Sequence, residues 1–134
     1  MTKTNIGYVS GHLDLSEEEF AAHYVPRIVE AVARGCSDPH GPSGLSFVVG
    51  DARGADLLFQ RYAQAQGLSV TVFHMFAEPR NNVGGFPVVG GFATDAARDE
   101  AMTAASGFDV AWVRPGRERS GTAKNLARRG SASG

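Results

Sequence analysis

Cysteine is nearly absent from this chain of 134 residues: one, Cys36, is too few for an intramolecular disulfide, and a thiolate metal site needs several soft ligands close together. A disulfide scaffold and a zinc finger are both excluded, and in a loop rich in Gly and Pro that thiol reads as incidental. No run approaches the ~20 consecutive apolar residues of a membrane helix. The opening Met1-Thr2-Lys3-Thr4-Asn5 enters a short apolar stretch without the regions of a secretory signal. A cytoplasmic protein without a membrane partner is expected. Histidine is sparse: His12, His23, His40 and His74 show neither H-x-x-x-H nor 2-His-1-carboxylate spacing, so neither a metal site nor a cofactor is expected.

Lysine is scarce as well. Eleven of the thirteen cations are Arg, whose planar fork suits bidentate contact with phosphate or carboxylate. Their placement is uneven: residues 1–113 hold seven Lys/Arg against thirteen Asp/Glu, whereas the chain from Arg114 onward holds six against Glu118 alone. The cationic end is local, which points either to a small anionic ligand near the C-terminus or to a solvated basic helix end complementing its dipole. A nucleic-acid partner is disfavoured, because the rest of the chain is acidic and no basic stripe interleaved with aromatics is present.

At 43% hydrophobic and 20% charged, the composition is that of one globular domain. It is expected over residues 1–130, with a flexible polar tail at 131–134. Apolar runs at 6–9, 45–49, 70–73 and 109–113 read as strands. Ser16 and Glu19 form a capping box ahead of Phe20, Tyr24, Ile28 and Val32, a helical period broken by Pro26 and closed by Gly35. Leu58, Tyr62 and Ala65 mark a second helix stopped by Gly67; residues 93–106 and 120–129 read as two more, the last ended by Gly130. The segments 36–44 and 76–92 lack periodicity and read as loops, the second as a flap or lid. Strands alternating with helices predict an α/β, Rossmann-like three-layer sandwich with a mainly parallel sheet. Ligands of such sheets sit beyond the carboxyl ends of the strands.

Three loops of special composition fall at those ends. Ser10-Gly11-His12 follows the first strand, where His12 can contact a base, act as an acid or be structural. Gly50-Asp51-Ala52-Arg53-Gly54-Ala55-Asp56 follows the second. Its glycines and helix-start amides can hold a phosphate or ribose, with Asp51 or Asp56 accepting hydroxyls, or the segment is simply a tight turn with Asp56 as cap. It is neither G-x-G-x-x-G nor a Walker A loop. Arg117, Arg119, Ser120, Gly121 and Thr122 precede the last helix, where hydroxyls, amides and guanidinium groups can form a phosphate receptor or Ser120 or Thr122 can serve only as N-cap. Arg98 and Met102 share a helix face; Arg98 either enters the pocket or faces solvent beside Asp95 or Asp99. Phe86, Val88, Val89 and Phe92 can cover a purine or form a subunit interface.

Taken in order, the Gly-Ala-Arg-Gly-Ala-Asp type loop (matched at Ala52 to Asp56), the Arg98–Met102 helix, Pro115-Gly116 and Ser120-Gly121-Thr122 resemble the SLOG superfamily of Rossmann-like nucleotide-binding proteins, closest to its YspA-like branch, over residues 6–127. The resemblance implies that Gly50, Arg53, Gly54, Arg98, Gly121 and Thr122 line a site for a nucleotide or nucleotide derivative, in a ligand sensor. Homodimers are common in that superfamily. Its LONELY GUY-type phosphoribohydrolases imply the alternative: N-glycosidic cleavage of a nucleoside 5'-monophosphate, with Arg98 as the catalytic residue. Here Asn125 stands where their catalytic Glu falls, so catalysis would require Asp51, Asp99 or Glu118 in its place.

Overall fold

The computed structural model of the chain describes all residues except 1–4, 37–44, 76, 78, 84 and 134. The elements run β1 (Ile6–Val9), α1 (Glu17–His23), α2 (Val25–Cys36), β2 (Ser46–Gly50), α3 (Ala55–Gln66), β3 (Val70–Met75), β4 (Val88–Phe92), α4 (Asp95–Ala105), β5 (Phe108–Val110) and α5 (Gly121–Ser133). The strands form one sheet in the order β4-β3-β2-β1-β5, and every pairing is parallel. This is the expected α/β, Rossmann-like architecture.

Alternation within the strands accounts for the layers. Val9, Phe47, Val49, Val70, Val72 and Val110 project to one face and are buried with Tyr24, Ile28 and Phe59. Tyr8, Val48 and Phe73 project to the other, against Met102 of α4. A sheet covered on both faces needs apolar residues at successive positions, which is why the strands read as continuous apolar runs. Ser16 caps α1 as anticipated: its Oγ accepts from the Glu19 N–H at 3.0 Å while Glu19 Oε1 accepts from the Ser16 N–H at 3.0 Å. Pro26 stands in the first turn of α2, where an amide has no intrahelical acceptor, so the chain breaks into two abutting helices at Tyr24 instead of losing an interior bond.

Several boundaries differ from expectation. Residues 76–92, read as one aperiodic loop, end in a fifth strand. β4 holds a Gly-Gly pair, which lowers strand propensity and hides it from a pattern reading. The pair has a structural reason. The β3–β4 register runs Phe73↔Val89 and then Met75↔Phe92, so β4 carries one extra residue there, and Gly91 takes φ +88° at that bulge. A Cβ on Gly90 would collide with the buried His74 ring. α5 continues through Gly130 to Ser133, and α2 continues through Gly35 to Cys36. Most of the loop expected at 36–44 lies outside the described residues. β5 ends at Val110, three residues short of the expected strand end.

β2, β3 and β4 lie in succession on one side of β1, and β5 lies on the other. The loops leaving β1 and β5 therefore diverge. In parallel sheets this reversal of strand order opens a crevice at the carboxyl ends.

Candidate functional site

A cavity of about 690 Å³ lies at that reversal, bounded by the β1–α1, β2–α3 and β5–α5 loops and by α4. Its frame is built from main-chain contacts between the loops. The Ser10 N–H donates to the Val110 carbonyl at 3.2 Å, and the buried Tyr24 hydroxyl donates to the Ser10 carbonyl at 2.7 Å while accepting from the Trp112 N–H at 3.2 Å. The His12 carbonyl accepts from both Leu15 and Ala55 N–H groups at 3.2 Å. A Cβ on Gly11 would meet the Tyr24 hydroxyl, and one on Gly54, which sits at φ +74°, would meet the carbonyl oxygens of His12 and Leu13. Those two glycines let loops touch, which is a different task from approaching a ligand.

The α5 wall is rich in unused donors. Ser120 caps α5, its Oγ accepting from the Ala123 N–H at 3.2 Å. The N–H groups of Gly121 and Thr122 have no acceptor among the described residues. Ser10, 6% exposed, also lines the cavity, and its Oγ has no hydrogen-bond partner among the described residues. A buried hydroxyl left in that condition costs about 1–3 kcal/mol unless something else satisfies it. Arg117 and Arg119 flank these donors. Arg117 is balanced at 3.6 Å by Asp14, whereas Arg119 forms no ion pair among the described residues. Glu118 Oε2 accepts from the Gly116 N–H at 2.7 Å on the exposed rim.

Arg114 secures this wall. It donates to Glu19 at 2.9 and 2.7 Å and to Asp14 at 3.2 Å, tying the β5–α5 loop to α1. Its hydrogen bonds hold the Glu19 carboxyl down at about 2. The Arg114 main-chain N–H donates to His12 Nε2 at 2.9 Å, so the neutral imidazole carries its proton on Nδ1. Burial, with Arg117 and Arg114 adding to it, keeps the His12 pKa below its ordinary value.

The α4 wall has the opposite character. Arg98 is buried and lines the cavity as the pocket-facing alternative requires, yet it also pairs with the neighbours of the solvent-facing alternative. Its guanidinium reaches Asp51 at 3.0 Å, Asp99 at 3.2 Å and Asp95 at 3.3 Å. Its charge is thus engaged by three carboxylates. Asp51 is fully buried behind the wall; burial works to raise its pKa, but Arg80 and Arg98 override this and hold it below the ordinary value. Asp56 lines the cavity and braces the β2–α3 loop by accepting from the Ala52 N–H at 3.1 Å, while α3 is capped at Gly54. Burial lifts its carboxyl to about 7. Its Oδ2 lies 2.6 Å from where a Cβ on Gly50 would stand, so a side chain there would displace the carboxylate.

Of the residues singled out from sequence, Ser10, Gly11, His12, Gly50, Asp56, Arg98, Arg117, Arg119, Ser120, Gly121 and Thr122 converge on this cavity. Asp51, Arg53 and Gly54 do not line it: Asp51 is sealed behind Arg98, Arg53 is exposed, and Gly54 serves loop contact. Neither Phe86 nor Phe92 faces the cavity; Phe86 packs on one core and Phe92 stacks on Phe73. Sequence reasoning missed Arg80 and Tyr8. Arg80 sits in an aperiodic segment with no motif around it. Tyr8 stands in a strand whose residues all read as core, but its hydroxyl accepts from the Asn125 amide at 2.9 Å and contacts Asp99. Burial and the Asp99 charge push that phenol well above its ordinary pKa.

Comparison with protein-family models, with curated proteins and with solved structures finds no match to this chain.

Proposed function

We propose that the protein binds a nucleotide or nucleotide derivative in this cavity, as a SLOG-type ligand-binding domain, with the phosphate seated at the start of α5. The observation that carries this reading is the set of donors without acceptors on one wall: the Gly121 and Thr122 N–H groups and the buried Ser10 hydroxyl, flanked by Arg117 and Arg119. A helix start offers amides and positive potential to an anion, and guanidinium groups add charge-assisted bonds. Arg98, engaged by three carboxylates, holds the wall together and contributes little free charge to the phosphate. The sheet edge at β4, where Val88 and Val89 are 45% and 41% exposed, is the surface we assign to a homodimer.

Isothermal titration and thermal shift with nucleoside 5'-monophosphates and ADP-ribose test the reading, since a ligand that prefers the native state raises apparent stability. Binding that weakens at least tenfold in an Arg119→Ala, Ser10→Ala double variant is the expected result. Absence of any stabilisation by the whole panel refutes it.

Hydrolysis of the N-glycosidic bond is the second reading, and Asp99 is the observation that favours it. Among the three carboxylates named as replacements for the missing Glu, Asp51 is sealed; Asp99 and Glu118 both line the cavity, but Glu118 is engaged by the Gly116 amide at its exposed rim, whereas Asp99 stands beside Arg98. Release of free base from the same panel, followed by chromatography and lost in Asp99→Asn, is the outcome that would establish it.

A further inference from the structure

We infer that His12 is a proton-operated latch on the anion receptor: its neutral imidazole holds the β5–α5 loop in the shape that presents the α5 amides, and protonation releases that loop; this rests on the nucleotide reading above. The latch is one hydrogen bond. His12 Nε2 accepts from the Arg114 main-chain N–H at 2.9 Å. An imidazolium carries a hydrogen on both ring nitrogens and has no acceptor, so a proton on His12 sets two donors against each other whichever way the ring turns. The residue is 3% exposed and its ring meets Trp112 edge-on, with centroids 6.3 Å apart, so it has no open path into water.

Two consecutive turns connect that bond to the receptor. The Arg114 carbonyl accepts from the Arg117 N–H at 2.9 Å, and the Arg117 carbonyl accepts from the Ser120 N–H at 3.0 Å. Ser120 caps α5, and the Gly121 and Thr122 amides follow it directly. Moving the Arg114 main chain therefore re-aims the donors that seat the anion. The charged groups facing His12 are Asp14 on its own loop, Glu19 from α1, and Arg114 and Arg117 from the β5–α5 loop. α3 meets His12 through the Ala55 main chain, and His23 of α1 stacks on the same indole at 3.9 Å. Burial and the two arginines outweigh the carboxylates, so the ring is uncharged at neutral pH and the latch is closed. Glu19, held at about 2, stays ionised as the pH falls, which keeps the Arg114 side chain docked on α1 and confines the change to its main chain. A cation beside a phosphate tightens binding on acidification, whereas a re-aimed receptor loosens it, so the sign of the effect separates the two.

Two measurements on the full chain between pH 8 and pH 5 test this. Nitrogen-15 NMR of the free protein is expected to show the Arg114, Gly121 and Thr122 amide shifts moving together with the titration of the His12 ring. His12→Gln supplies an amide oxygen as acceptor for the Arg114 N–H and removes the titration, while Asp56 and His23 are retained. In calorimetric titrations with AMP and with ADP-ribose, whose pyrophosphate is esterified at both ends and gains no proton in this range, the parent is expected to lose at least threefold more affinity than His12→Gln between the two pH values. Affinity that rises on acidification, or that falls as far in His12→Gln as in the parent, overturns the latch and leaves nucleotide binding standing. An Arg114 amide that titrates while Gly121 and Thr122 stay still also overturns it. Failure of both ligands to bind at pH 8 counts against the nucleotide reading, and the amide titration then decides the latch alone.

Discussion

Arg80 addresses the Asp51 carboxylate, 29 positions earlier in the chain, from both its main chain and its side chain: the N–H at 2.8 Å, Nη2 at 2.9 Å and Nε at 3.3 Å. Arg98 approaches the same carboxylate from α4 at 3.0 Å. Nearby, the buried Gln60 donates to the Asn81 carbonyl at 3.1 Å and accepts from the Val83 N–H at 3.1 Å. The β3–β4 connection, expected as a lid, is in this way fastened to the carboxyl end of β2.

The two partners of that ion pair should behave unequally on substitution. Asp51→Ala strands Arg98 in the wall without its deepest partner, and removing one member of a buried pair costs about 3–5 kcal/mol. Arg80 is half exposed, so Arg80→Ala should cost about 1 kcal/mol. Urea denaturation of both variants measures the difference; equal losses would show that the connection, and not the carboxylate, is the anchor.

What could be read from the sequence follows from what is local. The Ser16–Glu19 box, the Gly67 stop and the apolar strands are each decided within a few residues, and each is found in place. The convergence of the three loops was legible too, because parallel topology sends every β–α loop to the same sheet edge. The long-range partnerships were not. Nothing near Asp51 signals that Arg80 and Arg98 will consume it, so a carboxylate read as a ribose acceptor is a buried strut. β4 escaped for a related reason: its glycines suit the His74 ring and the bulge, contacts with β3 that no local period encodes.

Asp56 predicts a pH dependence. Its folded pKa, about 7, lies above the ordinary carboxylate value of 3.8, chiefly because of burial. The folded state therefore holds the proton over the window between those values. Its stabilising contribution is fully present below the lower value and declines as pH rises through the higher one. Asp56→Asn keeps an acceptor for the Ala52 N–H and removes the ionisation. We expect this variant to melt roughly 5 °C above the parent at pH 8, with the gap closing toward pH 4, as followed by circular dichroism across pH. A gap of the same size at both ends would show that the residue's charge plays no part.

Gly90→Ala tests the reading of β4. The added methyl would run into the His74 ring, which is 3% exposed and cannot swing out without disturbing β3. Overpacking of this kind costs about 1–3 kcal/mol. Gly85→Ala serves as the comparison: it changes a glycine of positive φ, at 62°, where a Cβ meets nothing within 4 Å, so it carries backbone strain without a clash. Its loss should stay near the ~1 kcal/mol of left-handed strain alone. A Gly90→Ala, His74→Ala pair should recover much of the single-variant loss, and a purely additive cycle would refute the contact.

Tyr24→Phe links the frame to the site. The hydroxyl joins the carbonyl at the end of β1 to the N–H of Trp112 just past β5, and burial raises its pKa to about 12, so it remains a neutral donor across the working range. Its removal leaves the Ser10 carbonyl and the Trp112 N–H each short of a partner, which costs about 1–3 kcal/mol. Those two groups flank the crevice into which Ser10, Gly121 and Thr122 present their donors, and loosening it should displace the anion receptor as well. We expect nucleotide affinity to fall about tenfold at a temperature where the variant is still folded, since a misplacement of order 1 Å forfeits hydrogen-bond geometry. Calorimetric titration beside thermal denaturation separates the effects: lost stability with unchanged affinity would mean that the crevice width does not set the receptor.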